Sequence, residues 1–198
     1  ALSPGGDVLY LSDTDNNRVR QVDLGAGIIT AFAGAGWSGF GYAGDGGPAT
    51  GASLQVPDGV AVDPTGNVYI GDTMNCVVRK VDIATNIIST VAGVAGLCAP
   101  GVGDGRDALA AQFSLPRRMA LDPAHNLFVF DSGSRTVRRV DAGTNIITTV
   151  AGGGSTTPGF GDATTMDIGA PSDITIDAFN NLFVSTFNQV FKVDLGTG

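Results

Sequence analysis

The stretch VYIGDTMNCVVRKVDIATNIISTVAG, residues 68–93, decides the fold because the chain repeats it. A close copy, LFVFDSGSRTVRRVDAGTNIITTVAG, occupies residues 127–152, and an earlier copy, LYLSDTDNNRVRQVDLGAGIITAFAG, occupies residues 9–34. A shorter copy, LFVSTFNQVFKVDLGTG, occupies residues 182–198. A fixed period with strand-like content predicts a stacked architecture in which each unit buries its faces against its neighbours.

The second copy shows how one repeat folds. Short runs rich in Val, Ile and Thr alternate with turns that carry Pro, Gly, Asn or Asp, which predicts strands separated by tight turns. The predicted strands of this repeat are residues 59–63, 68–72, 77–82 and 87–93. Three of the four are apolar on nearly every residue, so both faces of the sheet should be covered. Since no helical crossover is available, we predict an all-β fold of four-stranded antiparallel sheets around an axis, the blades of a β-propeller.

The repeats divide the whole chain, which we treat as one partial propeller over residues 1–198. The approximate repeat boundaries are 1–57, 58–116, 117–171 and 172–198, and the last repeat is incomplete. The first residues, ALSPGGD, align with AVDPTGN at 61–67, so we expect the chain to start part-way through a strand. It ends at VDLGTG, where the other repeats continue to their last strand. We therefore expect about four blades, excerpted from a longer protein.

The composition agrees with this class and excludes others. The 30 Gly and 19 acidic residues, all of them Asp, are typical of a protein built from strands and turns. The net charge is −8 and the 11 basic residues are scattered through the repeats, so we expect no nucleic-acid partner. No stretch approaches 18 consecutive apolar residues, so we expect no membrane span in this segment. An acidic surface poor in Lys fits an extracellular or cell-surface location.

The residues PDGVAVDPTGNVYIGDTMNCVVRKVD, from Pro57 to Asp82, resemble the NHL repeat. The resemblance covers essentially all of the chain and implies an NHL-like propeller. Members of this family usually have six blades, which implies roughly two further blades outside these residues. The family includes lyases, RNA binders, sensor domains and adhesion modules, so the resemblance implies a fold and no single function.

The connections between repeats differ from the short turns within them. Residues 35–57, 94–116 and 153–171 form long connections that should all lie at one end of the blades, and long loops often carry function. Three aromatic residues lie in the first connection: Trp37, Phe40 and Tyr42. They either form a patch that binds a partner or fold down over the top of the blade, and the sequence supports both interpretations equally.

Acidic residues also recur in these connections. Gly-Asp-Gly occurs at 44–46 and again at 103–105. The candidate binding residues of this type are Asp45, Asp104, Asp107 and Asp162. We interpret them first as turn residues, and the functional alternative is that their oxygens bind calcium. No other cofactor is predicted.

Two further residue types recur within the strands. The Asp at the end of the second strand and the Arg of the third strand keep the same places in three repeats: Asp13, Asp72, Asp131, Arg20, Arg79 and Arg138. A catalytic group is normally singular, so we predict structural roles for these serial residues. We identify no catalytic residue. The single histidine, His125, lies in a short turn and cannot form the histidine cluster on zinc that the resemblance to NHL lyases would imply.

Cysteine occurs only in the second repeat. Cys76 lies in the turn between the second and third strands, and Cys98 lies early in the following connection, at the same end of the blade. The pair favours a disulfide, formed in an oxidising compartment, over two free thiols.

These features favour a non-catalytic extracellular module that is structural or binds proteins. It would act through the face that carries the long connections or through assembly contacts, with another protein or its own copies as partner. The alternatives are a propeller enzyme of the lyase or lactone-hydrolase type with an axial metal, and an extracellular ligand-sensing domain of a larger protein.

Overall fold

A computed structural model describes residues 1–156 and 161–196. It confirms the all-β prediction and contains four antiparallel sheets, one for each repeat. The first blade consists of β1 (Val8–Asp13), β2 (Arg18–Asp23) and β3 (Ile28–Ala33). The second blade consists of β4 (Pro57–Val62), β5 (Val68–Asp72), β6 (Val77–Val81) and β7 (Ile88–Ala92).

The remaining two blades follow the same order. The third blade consists of β9 (Pro116–Leu121), β10 (Leu127–Asp131), β11 (Thr136–Val140) and β12 (Ile146–Gly152), preceded by the short β8 (Arg106–Asp107). The fourth blade consists of β13 (Asp173–Ile176), β14 (Asn181–Ser185) and β15 (Val190–Asp194). Leu2 bridges Leu9 of β1 from the side that the inner strand occupies in the second blade, which agrees with the alignment of the first residues.

Helix occurs in the described residues only as short 3-10 turns. Their bounds are Thr14–Asn16, Gly36–Gly39, Ala49–Gly51, Thr73–Asn75, Ala108–Ala110 and Ala163–Thr165. None of these helices is long or apolar enough to cross a membrane.

The blades meet through their apolar faces, as the continuous apolar strands predict. Each of the three interfaces contains its own cluster of buried side chains. Each cluster includes one apolar residue from a long connection, three residues before the Pro that ends it. These residues are Leu54, Phe113 and Ile168, and all three are buried. Stability therefore comes mainly from contacts between neighbouring repeats.

The inner strands approach one another closely around the axis. β9 lies between β4 and β13. A side chain at Gly59 of β4 would overlap the carbonyl oxygen of Arg117 on β9, so only glycine fits at this crossing. In the third blade the equivalent residue is Arg118, which donates to the carbonyl oxygen of Ser172 and pairs with Asp58.

A β-bulge recurs in the outer strand of the first three blades, where Phe32, Val91 and Val150 are the additional residues. The outer strand of each of these blades shifts its pairing with the neighbouring strand just before one Arg of that neighbour. These arginines are Arg20 of β2, Arg79 of β6 and Arg138 of β11. A bulge redirects the side chain beside it. This shift accompanies the inward placement of Arg79 and Arg138, both of which are completely buried.

The long connections follow a course that the sequence did not predict. Residues 46–49 hydrogen-bond with Asn86 and Ile88 at the outer edge of the second blade. β8 pairs in the same way with β12 at the outer edge of the third blade. These two connections therefore carry short regular elements, and each runs along the outer edge of the next blade before it reaches the inner strand.

Candidate functional site

The end of the blades from which the long connections leave, here called the long-loop face, exposes several large apolar side chains. Trp37 and Phe40 are 70% and 61% exposed. Met74 lies in the 3-10 turn after β5 and Leu97 lies early in the second connection, and both are exposed as well. We call Trp37, Phe40, Met74 and Leu97 the loop-face strip.

Asn75 holds the segments of this strip together. Its side-chain amide donates to the carbonyl oxygen of Gly41 at 2.6 Å, which fixes the first connection. The backbone carbonyl oxygen of Asn75 accepts from the backbone N–H of Gly96 at 3.2 Å, which fixes the second connection. Phe40, Met74 and Leu97 are sequence neighbours of these three residues. The apolar side chains therefore stand on backbone segments that are bonded to one another.

The disulfide between Cys76 and Cys98 is present, with the two Cα atoms 5.4 Å apart. It joins the turn after β5 to the second connection, immediately beside Leu97. Cys76 adopts a left-handed conformation, with φ of 58°, at the end of the 3-10 turn. The predicted pairing is thus confirmed, and its effect is to anchor residues 94–102 to the blade.

The three predicted aromatic residues have different environments. Trp37 shares a shallow pocket with Asn16 and Arg18 of the first blade. Tyr42 is more enclosed, because its hydroxyl group donates to Asp45 and also bonds Thr90, at 2.9 and 2.8 Å. Its ring lies 4.8 Å from the guanidinium carbon of Arg79. Tyr42 therefore covers the blade, whereas Trp37 and Phe40 face solvent.

Asp45 and Asp104 make equivalent contacts with the following blade. Asp45 pairs with Arg79 and accepts from the backbone N–H of Thr90 at 2.9 Å. Asp104 pairs with Arg138 at 2.6 Å and accepts from the backbone N–H of Thr149 at 2.9 Å. Burial opposes ionisation of Asp45, but the Thr90 hydrogen bond and the charge of Arg79 outweigh it and lower the pKa of this carboxyl.

Asp107 and Asp162 are cap residues of 3-10 turns. Asp107 accepts from the backbone N–H of Leu109 at 2.8 Å and from the Asn145 side chain at 3.0 Å. Asp162 accepts from the backbone N–H and the hydroxyl of Thr164, and the hydroxyl bond is the main reason that its pKa is lowered. Asp45, Asp104 and Asp107 thus lie along the outer edges of blades, away from the loop-face strip. In residues 1–156 and 161–196, no group of three or more His, Cys or Asp residues is placed to hold a metal ion.

The Asp at the end of the second strand ties the preceding connection to its own blade. Asp72 accepts from the backbone N–H of Gln55 at 2.7 Å. Asp131 does the same with the backbone N–H groups of Ser114 and Leu115, at 3.0 and 2.6 Å. Asp13 pairs with Arg20 at 2.6 Å.

Asp72 also meets the Arg of its own blade inside the protein. Its carboxylate accepts from the Asn75 amide at 2.9 Å and from Arg79 at 3.4 Å. Burial raises the pKa of Asp72 to about 6, against these hydrogen bonds and the charge of Arg79. Arg79 therefore links two carboxylates, Asp72 in its own blade and Asp45 in the connection.

Comparison with known proteins places these features in a family context. The family model described as the Teneurin NHL domain matches residues 1–101. Teneurin-1 of Gallus gallus is 32% identical over 173 residues, which are 77% of this chain and 6% of that protein. The chain therefore spans a small fraction of the curated relatives that it matches.

Solved structures show the same fold. A Bacteroides thetaiotaomicron protein of unknown function superposes with a TM-score of 0.73 at 18% identity, over 97% of this chain and 45% of that chain. A chain of the nidogen/laminin complex superposes with a TM-score of 0.63 at 15% identity, over 98% of this chain and 57% of that chain. At these identities the likeness concerns the fold alone.

Proposed function

Because the chain belongs to the Teneurin NHL domain family, we propose that it acts as a protein-interaction module and binds its partner through the loop-face strip. The single observation that carries this proposal is the group of exposed apolar side chains on bonded backbone segments. Isolated exposed apolar residues are normal, whereas neighbouring ones are typical of interaction surfaces. Large apolar and aromatic anchors such as Trp37 and Phe40 dominate the energetics of many interfaces.

The rigidity of the strip supports the same proposal. A loop that orders only on binding loses conformational entropy, and this loss weakens the complex. Here the Asn75 hydrogen bonds and the Cys76–Cys98 disulfide hold both connections before any partner arrives. The strip is therefore organised in advance of binding.

We also propose an extracellular or cell-surface location for this module. The disulfide supports it, because such bonds persist in oxidising compartments. We further propose that the repeats 1–57, 58–116, 117–171 and 172–198 are blades of a larger six-bladed propeller. In support, this chain covers 57% of the matched chain of the nidogen/laminin complex, which leaves a length for about two further blades.

The proposal predicts that single substitutions in the strip weaken binding. Phe40→Ser and Leu97→Ser in the full-length protein should each reduce binding to partner-bearing cells by about tenfold, because each removes a large apolar contact. Binding is measured by flow cytometry with labelled protein. Sedimentation of the same proteins shows whether the partner is a second copy of this chain.

The matched control is Ile28→Ser on the outer strand of the first blade. Ile28 is 58% exposed, similar to Phe40, but lies outside the strip. It should leave binding unchanged. If both strip variants bind like the wild type, or if only Ile28→Ser loses binding, the loop-face strip is not the binding surface.

A further inference from the structure

A cavity of about 360 Å³ lies between the second and third blades, near the end that carries the short turns. It is distant in the fold from the loop-face strip. Its floor is apolar and consists of Val91, Leu127 and Val140. Its volume is within the range of cavities that hold one small molecule.

The cavity exists because one residue is smaller than its counterpart in the first repeat. In the first blade Tyr10 and Phe32 pack edge to face, with ring centroids 4.7 Å apart, and both are buried. The equivalent residues 59 positions later are Tyr69 and Val91. Val91 lacks the ring that fills the first interface, so the second interface stays open beside Tyr69.

Two residues at the rim each differ from their counterpart in one other repeat. Lys80 stands where the first repeat has Gln21, and His125 stands where the second repeat has Gly66. His125 adopts a left-handed conformation with φ of 66°, which residues with a side chain rarely occupy. The Lys80 ammonium lies 5.7 Å from the centre of the Tyr69 ring and has no ion pair within the described residues.

The two carboxylates that border the cavity are already engaged by the protein. Asp63 accepts hydrogen bonds from Thr65 and Asn67, through both backbone and side-chain groups. Asp141 accepts from Thr144 and pairs with Arg139 at 2.8 Å. Burial, followed by the charge of Asp63 and a hydrogen bond with it, raises the pKa of Tyr69 to about 12, so the Tyr69 hydroxyl faces a carboxylate inside the protein. The charged donor that remains for a ligand in this cavity is the Lys80 ammonium.

We propose that this cavity binds a carboxylate attached to an aliphatic side chain, as in an N-acylated amino acid or the C-terminal residue of a peptide. The aliphatic group fills the floor formed by Val91, Leu127 and Val140. The carboxylate accepts from Lys80 at the rim, with His125 as a second donor. Charge-assisted hydrogen bonds of this kind are stronger than neutral ones.

The test uses saturation-transfer NMR on the full-length protein with N-acetyl-leucine, N-acetyl-leucinamide and a short peptide that ends in Leu. The acid should bind, with transfer to its methyl groups, and the amide should bind about tenfold more weakly or not at all. If the peptide binds and N-acetyl-leucine does not, the site recognises the C-terminal residue of a peptide. Equal binding of acid and amide would overturn the proposal.

Substitutions copied from the other repeats separate binding from folding. Lys80→Gln introduces the residue of the first repeat and should weaken binding of N-acetyl-leucine about tenfold. Val91→Phe copies Phe32, fills the cavity and should abolish the signal. Lys192→Gln, at the equivalent position of the fourth repeat, should change nothing. If Val91→Phe fails to fold, the result for Lys80→Gln tests the proposal. Unchanged binding of N-acetyl-leucine to the Lys80→Gln protein would contradict it.

Discussion

Arg79→Met in the full-length protein is expected to lower the free energy of unfolding of this domain by about 3–5 kcal/mol. The Arg79 and Asp72 side chains are both completely buried, and Arg79 also pairs with Asp45. Removing the cation leaves the Asp72 charge without compensation in the interior. Denaturant unfolding measures the loss, and hydrogen exchange of β5 and β6 shows that it originates in the second blade.

The loss should depend on pH because the buried carboxyl can take up a proton. Burial raises the pKa of Asp72 from 3.8 to about 6 in the folded protein. Its contribution to stability is therefore complete below pH 3.8 and is lost as the pH rises through about 6. Without Arg79 this pKa rises further, so the variant should lose less stability at pH 5 than at pH 7.5.

Arg20→Met is the matched control. Arg20 occupies the same position in the first repeat, but its side chain is 29% exposed in its ion pair with Asp13. Exposed pairs contribute little, so this variant should lose about 1 kcal/mol or less. A similar loss in both variants would mean that the buried charge is not what makes Arg79 important.

The contact between Arg79 and Asp45 can be predicted when two repeats of the sequence are compared, but not from one repeat alone. Asp45 precedes Arg79 by 34 residues, and Asp104 precedes Arg138 by the same distance. In the fourth repeat Phe191 replaces the Arg, and Asp162 bonds its own turn instead. Two residue types that recur at the same separation in two repeats are expected to be in contact.

The blades were predictable because every repeat carries the same strand and turn signals. The outer course of the connections was not, because it depends on hydrogen bonds between one repeat and the next. Gly46 donates to the carbonyl oxygen of Ile88, and Ala49 donates to that of Asn86. Backbone groups of this kind leave no mark on side-chain patterns. For this reason the contact of Asp45 with the outer strand of the second blade was not predicted.

The loop-face strip was predictable in part. Aromatic residues flanked by Gly drew attention to Trp37 and Phe40, but Met74 and Leu97 were missed. A signal for Met74 exists, since the equivalent turn positions hold Asp15 and Gly133. An apolar residue in a turn that is otherwise polar or small is a departure from the repeat. Leu97 has no comparable signal, because the connections differ too much to align.

Replacing both cysteines, with Cys76→Ala and Cys98→Ala together, is expected to lower the free energy of unfolding by about 3 kcal/mol. The bond closes a loop between residues 22 positions apart, and its removal gives the unfolded chain more freedom. The double variant avoids leaving one thiol buried alone. Thermal and denaturant unfolding of the full-length protein measure this loss.

The same variant separates stability from the organisation of the strip. The disulfide anchors Leu97, whereas Phe40 is held through Asn75 and Gly41. Hydrogen exchange should therefore accelerate in residues 94–102 and stay slow near Gly41, and partner binding should weaken even at temperatures where the domain is fully folded. If binding persists unchanged while residues 94–102 exchange freely, the second connection contributes no rigid contact, and the binding surface is confined to the first connection and the turn that carries Met74.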